Sequence, residues 1–137
     1  MLKDAMGGYR GTATEISRII AEHPGRAEAY YDRGNARSSC DDYDGAIADF
    51  SMALKIGLRF REAITAYGNR GMARAKSGDL DGAIQDFSEI IERKPGNKRL
   101  LSTAYKIRAL VKKKGDSDGA AEDRNMALLL SSDINKQ

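Results

Sequence analysis

The sequence predicts an all-α fold of about seven helices, in which pairs of helices joined by tight turns repeat along the chain. Glycines recur at a fixed interval: Gly45, Gly82 and Gly119 are each 37 residues apart, and Gly11 lies 34 residues before Gly45. A small residue and then apolar residues at helical spacing follow each of them. The chain has only two prolines, while alanine, leucine, isoleucine, arginine and lysine are plentiful, which favours helices.

A second motif precedes this glycine in each repeat. The segments AYYDRGNAR (29–37), AYGNRGMAR (66–74) and AYKIRALVK (104–112) align without gaps. The shared residues are Tyr30, Arg33, Gly34 and Arg37; Tyr67, Arg70, Gly71 and Arg74; and Tyr105, Arg108, Ala109 and Lys112. Because Gly34, Gly71 and Ala109 are all small, we expect the two helices of a pair to cross closely at that position.

Helix boundaries follow from the two motifs and from the residues between them. Gly25, Gly57 and Gly96 mark the links between pairs, with Pro24 and Pro95 directly before two of them. Helices are therefore predicted near 11–23, 26–39, 43–57, 60–77, 80–93, 97–114 and 117–131. The predicted organisation is a single domain, 1–137, with a half repeat at 11–24, repeats at 26–58 and 60–96, and a third repeat with the terminal helix at 97–131.

The second helix of each pair starts with Asp-x-Asp-Gly, at Asp42, Asp79 and Asp116. One interpretation is a calcium loop, which needs acidic ligands at alternate positions and a bidentate glutamate at the twelfth. None of the three segments has that glutamate. A carboxylate at a helix start instead accepts hydrogen bonds from free backbone N–H groups and complements the helix dipole. The motif therefore predicts helix N-caps.

The remaining composition argues against several classes of site. The single cysteine, Cys40, and the single histidine, His23, provide neither a zinc cluster nor a disulfide framework. No glycine-rich phosphate loop or catalytic constellation is evident, so we predict no enzyme, no metal and no cofactor. The sequence lacks a long apolar run and a secretory signal, and a lone cysteine fits a reducing compartment, which predicts a cytoplasmic protein without a membrane contact.

The helix pair resembles the tetratricopeptide repeat, whose pattern has an aromatic residue, a glycine four positions later, then alanine, a second aromatic and a closing proline. The matching residues are Tyr30, Gly34, Ala46 and Phe50; Tyr67, Gly71, Ala83, Phe87 and Pro95; and Tyr105, Ala109 and Ala120. The resemblance covers about residues 11–131. Two departures are the period of 37 residues and Arg124 in place of the second aromatic. The longer period leaves the Sel1-like repeat as an alternative family.

The resemblance implies an α-solenoid, a right-handed superhelix of stacked antiparallel helix pairs, that acts as a scaffold. Such proteins bind a peptide segment of a partner in a concave groove lined by the first helix of each pair. The family pattern places in this groove Tyr31, Asn35, Asn69, Met72, Lys76, Lys106, Leu110 and Lys113. The lysines imply a preference for acidic segments.

One subclass of the family binds chaperone tails, holding a terminal carboxylate with two asparagines and three basic residues. Asn35 and Asn69 match that pattern, but Tyr31, Thr103 and Ile107 stand where the basic residues belong. We therefore expect this groove to bind acidic segments but not chaperone tails.

Arginines and aspartates recur together at a separation of 15 or 16 residues. We interpret them as ion pairs that hold the two helices of a pair together, because arginine suits a partly buried bidentate contact. The pairs are Arg33 with Asp49, Arg70 with Asp86, and Arg108 with Asp123. The alternative is a row of arginines that binds phosphate groups.

The charge is unevenly distributed. Residues 93–114 carry nine basic and no acidic residues, although the net charge of the whole chain is only +3. This segment is either a solvated face, a site for an acidic protein segment, or a nucleic-acid site. Nucleic acid is the least favoured of the three, because Tyr105 is the only aromatic residue available for stacking there.

The predicted first helix has no partner helix before it. Its apolar residues, Ile16, Ile19 and Ile20, therefore need a neighbour from elsewhere. The alternative to a peptide-binding scaffold is thus a self-assembling unit, either part of a longer protein or a homo-oligomer joined through this helix.

Overall fold

The computed structural model of the chain describes residues 7–112 and 117–135, with the side chains of 12–112 and 118–132. These residues form seven α-helices and no strand: α1 (Gly7–Glu22), α2 (Ala27–Ser39), α3 (Tyr43–Ile56), α4 (Phe60–Ser77), α5 (Leu80–Glu92), α6 (Lys98–Lys112) and α7 (Ser117–Asn135). The predicted all-α fold and its helix count over this part of the chain are confirmed.

The helix boundaries differ from the prediction mainly at the two ends. Helix α1 begins at Gly7 rather than near residue 11, and α7 continues to Asn135 rather than ending near 131. No proline or glycine interrupts residues 120–135, so nothing in the sequence stops propagation of the last helix. The predicted end of the sixth helix, 113–114, lies outside the described residues.

Successive helices pack against one another in chain order, and α2 also contacts α4. We call α2, α4 and α6 the first helices and α1, α3, α5 and α7 the second helices. Apolar clusters join each pair to the next: Phe50 of α3 lies in one cluster with Ala66 of α4, and Phe87 of α5 lies in another with Ala104 of α6. Burial of these side chains therefore stabilises the stacking of pairs as well as each pair itself.

Two aspartates of the repeated Asp-x-Asp-Gly motif are N-caps, as the sequence predicts. Gly45 N donates to Asp42 Oδ1 over 3.0 Å, and Gly82 N donates to Asp79 Oδ1 over 2.9 Å. A Cβ on either glycine would collide with the capping carboxylate and with the aliphatic part of an arginine on the preceding helix. The capping geometry therefore requires the glycine. Asp116, at the third copy, lies outside the described residues.

The close crossing within each pair occurs where the sequence predicts it. A Cβ on Gly34 would lie 2.9 Å from the ring of Phe50, and one on Gly71 would lie 2.9 Å from the ring of Phe87. In the third pair the aromatic residue is replaced by the exposed Arg124, and the small position is a buried alanine. The aromatic ring is therefore what excludes a side chain from the crossing.

Candidate functional site

Buried ion pairs join the first and second helix of each pair. Arg33 donates from Nε and Nη2 to the two oxygens of Asp49 over 2.9 and 2.8 Å. Arg70 makes the same bidentate contact with Asp86, with N–O distances of 3.0 and 2.7 Å. Both aspartates are only 2% exposed. A bidentate contact between arginine and a carboxylate fixes the relative position of two helices more precisely than a single hydrogen bond would.

The third pair repeats this contact between α6 and α7. Arg108 donates to Asp123 over 2.7 Å from Nε and 2.5 Å from Nη2. Burial by itself would raise the pKa of Asp123, but the hydrogen bonds and positive charges of Arg108 and Lys112 hold that pKa below its ordinary value. The Asp123 hydrogen bond in turn raises the pKa of Arg108. The Asp123 carboxylate is therefore ionised in the folded protein at neutral pH.

The same arginines also reach back to the preceding second helix through a serine. The remaining terminal nitrogen, Nη1, donates to Ser17 from Arg33 over 3.1 Å, to Ser51 from Arg70 over 3.0 Å, and to Ser88 from Arg108 over 2.9 Å. Each arginine thus links three consecutive helices. These serine acceptors were not predicted from the sequence, although the segment Asp-Phe-Ser occurs at both 49–51 and 86–88.

A second basic residue and a tyrosine complete each of these clusters. Arg37, Arg74 and Lys112 contact Asp49, Asp86 and Asp123 over 3.0, 3.1 and 3.3 Å, respectively. The guanidinium groups of Arg33, Arg70 and Arg108 lie 5.5 to 5.7 Å from the ring centres of Tyr30, Tyr67 and Tyr105. Carboxylates, hydroxyls and rings of the protein surround these cations, which leaves them poorly placed to form a row of phosphate sites.

A different set of residues lies on the first-helix face, by which we mean the side of α2, α4 and α6 that carries the sequence-predicted groove residues. Asn69 of α4 donates from Nδ2 to Asn35 Oδ1 of α2 over 2.9 Å, so the two asparagines contact each other. Tyr31 packs edge-on against Phe50, with ring centres 6.1 Å apart, and is half-buried. Part of the predicted groove is therefore occupied by contacts within the protein.

Other predicted groove residues have accessible side chains. Met72 is 38% exposed and Leu110 is 70% exposed. Lys106 is exposed on α6, whereas the ammonium of Lys76 lies 5.4 Å from the ring centre of Tyr43. Lys113 lies outside the described residues. The accessible part of the predicted site is thus concentrated on α4 and α6.

A cavity opens on this face between α4 and α6. Its volume is about 200 Å³, and it lies over Phe87 and Ile90 of α5, between Met72 of α4 and Ile107 of α6. A larger hollow of about 500 Å³ adjoins it and is lined by Arg61. Sequence reasoning missed this cavity, because only the packing of three helices shows that a space remains there.

The opposite end of the first-helix face is acidic. Asp32 of α2 aligns with Asn69 in the next repeat, and Glu28 lies one helical turn before it. Burial and then the charge of Glu28 raise the pKa of Asp32 above its ordinary value. The face therefore changes from acidic at α2 to cationic at α4 and α6.

Several cations of the basic segment 93–114 are paired within the protein. Arg93 contacts Glu89 over 3.2 Å and lies 5.0 Å from the ring centre of Tyr67. Arg108 and Lys112 both contact Asp123. The segment is therefore less cationic in the structure than its sequence indicates.

The described part of the chain contains neither a metal-binding cluster nor a membrane-spanning helix. There, no group of three or more histidine, cysteine, aspartate or glutamate side chains is arranged to hold a metal ion. None of the helices in that part combines the length and the apolar character that a bilayer span requires.

Comparisons with known proteins bear on the fold and on the repeat. The model of the tetratricopeptide repeat matches residues 27–56 and 64–97, which contain α2 with α3 and most of α4 with α5. A crystal structure of MamA is similar, with a TM-score of 0.84 and 25% identity over 96% of this chain and 73% of that chain. A second MamA structure has a TM-score of 0.81 and 25% identity over 95% of this chain and 68% of that chain. Among curated proteins, no sequence matches this chain.

Proposed function

We propose that this chain, in which residues 27–56 and 64–97 match the model of the tetratricopeptide repeat, is a non-catalytic scaffold that binds an acidic segment of a partner protein along its first-helix face. Repeats of this kind serve in general as protein-interaction scaffolds, and the stacked pairs supply a rigid surface for that role. The single cysteine supports a cytoplasmic setting for the interaction.

The observation that carries the proposal is the asymmetry of contacts around the first helices. Their arginines are bound inward by aspartate, serine and tyrosine, as Arg70 is by Asp86 and Ser51. Other residues of the same helices, such as Met72 and Lys106, remain accessible. The arginine contacts therefore fix the positions of the first helices, while the accessible residues of the first-helix face are available to a ligand.

Charge supports an acidic partner at the α4 and α6 end of this face. Lys106 and Arg99 are exposed on one side of α6, and Arg61 is exposed on α4. The acidic end, with Glu28 and Asp32, would repel the same segment. A bound segment should therefore lie with its acidic residues over α4 and α6 rather than over α2.

A charge-reversal experiment tests this function. The wild type, Lys106→Glu and a control, Lys55→Glu, would each be used to capture partners from a native lysate for mass spectrometry. Lys55 is exposed on α3, a second helix, so its replacement leaves the first-helix face unchanged. We expect proteins retained by the wild type and by the control but lost with Lys106→Glu. Equal capture by all three proteins would refute the proposed face.

Self-association is the second candidate, and the exposed leucines of α7 favour it. Leu128 is 65% exposed and occupies the repeat position of Leu54 and Ile91. Those two residues are partly buried against clusters that include the first helix of the next pair. Leu128 thus presents an apolar surface where earlier repeats receive a further helix.

Light scattering would measure self-association directly. Leu128→Asp and Leu129→Asp should convert an oligomer to a monomer without unfolding it, because both side chains are exposed. A wild type that is monomeric at high concentration would remove this candidate.

Nucleic-acid binding through 93–114 has weaker support, since Arg93, Arg108 and Lys112 contact acidic residues of the protein. Salt-dependent binding to generic RNA or DNA would be the observation in its favour.

A further inference from the structure

We propose that the cavity beside Gly68 is an anchor pocket that takes one large apolar side chain, of leucine, methionine or phenylalanine size, from an acidic peptide. This inference rests on the proposed function, and it adds a specific subsite that the repeat pattern does not identify.

Gly68 differs from the other glycines inside α2–α5 because nothing in the packing requires it. A Cβ on Gly34 or Gly71 would lie 2.9 Å from an aromatic ring. A Cβ on Gly68 would meet only Ile90 Cδ1, at 3.6 Å, which is an ordinary contact. Its backbone is helical, without the positive φ found at Gly57 and Gly78. Glycine in a helix interior is destabilising relative to alanine, so the missing side chain needs another explanation.

The preceding repeat shows what a side chain does at this position. Tyr31 aligns with Gly68, and its ring packs edge-on against Phe50. Phe87 is the equivalent of Phe50, and it forms part of the cavity lining instead. The absence of an aromatic residue at 68 therefore leaves open, in the second repeat, a space that the first repeat fills from within its own chain.

The dimensions and lining of the cavity fit an apolar side chain. Its volume of about 200 Å³ is several times the roughly 30 Å³ that one water occupies in the liquid. The inner surface is formed by Ile64, Phe87, Ile90 and Ile107, and polar groups are confined to Thr65, Asn69 and Thr103. Met72 at the edge is 38% exposed, and its flexible thioether can adapt to side chains of different shape.

The surroundings of the cavity specify an acidic peptide. Lys106 lies one helical turn beyond Thr103 on α6, and Arg61 lines the adjoining hollow. No aspartate or glutamate occurs among the described residues that line either space. Asn69 is held by its hydrogen bond to Asn35, so this part of the rim is fixed before a ligand arrives. An extended peptide with one apolar residue between acidic residues satisfies both features.

The test uses a phage-displayed library of random dodecapeptides, selected on the whole chain. Wild type should enrich peptides with leucine, isoleucine, methionine or phenylalanine between acidic residues. Gly68→Tyr, which copies Tyr31, should keep the acidic enrichment and lose the apolar residue. Lys106→Glu should keep the enrichment of an apolar residue and lose the enrichment of acidic residues. Thr103→Tyr fills the cavity from an exposed position on α6 and serves as a second variant if Gly68→Tyr does not fold.

Affinities for the best wild-type peptide then complete a double-mutant cycle. Replacing its apolar residue by serine, or Gly68 by tyrosine, should each weaken binding about tenfold or more. The two changes together should weaken it no further, because both remove one contact. Enrichment of acidic residues alone, or additive losses in the cycle, would overturn the pocket and leave the proposed function standing. Failure to enrich any acidic peptide would overturn both.

Discussion

At the scale of single residues, the buried aspartates depend on arginines that come from another helix. Asp86 is 2% exposed and has three nitrogen donors, two from Arg70 and one from Arg74. Removing Arg70 leaves a buried carboxylate with Arg74 alone, and it also removes the donor to Ser51. A buried charge that has lost its main partner is costly, whereas an exposed ion pair contributes little.

We therefore expect Arg70→Ala to lower the free energy of unfolding by about 1–3 kcal/mol. Urea denaturation would measure it. Arg61→Ala is the matched control, because Arg61 is an exposed arginine on the same helix. If the two variants are equally stable, the buried ion pair does not hold α4 to α5.

Two glycines three residues apart on α4 should respond in opposite ways to the same substitution. Gly68→Ala should raise the free energy of unfolding by about 0.5–1 kcal/mol, because alanine favours a helix and its Cβ fits. Gly71→Ala should lower it, because the Cβ would lie 2.9 Å from the Phe87 ring and 3.2 Å from Asp86 Cβ. Thermal midpoints measured by circular dichroism would compare the stability of each variant with that of the wild type. A gain in stability at both positions would mean that the Phe87 ring can move away, and a loss at both would mean that the space beside Gly68 does not admit a Cβ.

At the scale of helices, the pairing of α6 with α7 should depend on pH through Asp123. Its folded-state pKa is lowered below the ordinary 3.8. Its contribution to stability is therefore complete above about pH 3.8 and is lost as the pH falls through the lower folded-state value. Wild type should lose stability more steeply below this pH than Asp123→Asn, as measured by urea denaturation between pH 2.5 and 7.

Asp32 provides the opposite case on α2. Its pKa is raised above 3.8, so its ionisation opposes folding as the pH rises through that range. Asp32→Asn should therefore be more stable than wild type at pH 7, with the difference shrinking in acid. A variant that is less stable at neutral pH would show that the Asp32 carboxylate makes a favourable contact.

The helices themselves could be predicted from the sequence because several signals coincide in every repeat. An aspartate cap, a glycine required by that cap and apolar residues at helical spacing all indicate the start of α3 and of α5. The ion pairs were inferred from spacing alone. What could not be predicted depends on contacts between repeats: the hydrogen bond from Asn69 to Asn35, the serine acceptors and the cavity beside Gly68. The repeat pattern identifies Gly71 as a position that must be small, whereas the space beside Gly68 is evident only from the positions of Phe87 and Ile90.

At the scale of the whole molecule, each described helix packs mainly against its neighbours in the chain. Stability in such an array is a sum of local terms and neighbour interfaces, so it should vary along the chain. Helices α2 to α6 each have a packed neighbour on either side, whereas α1 and α7 each have one in the described part of the chain. Native-state hydrogen exchange should therefore be slower in α2 to α6 than in α1 and α7.

The arginine clusters make this prediction specific to each variant. Arg70 links α3, through Ser51, and α5, through Asp86, to its own helix α4. Arg108 links α5, through Ser88, and α7, through Asp123, to α6. Loss of protection in Arg70→Ala should therefore be largest in α3, α4 and α5, whereas Arg108→Ala should mainly affect α5, α6 and α7. If either variant instead loses protection equally in all seven helices, the array unfolds as one cooperative unit and the three-helix links do not define its local stability.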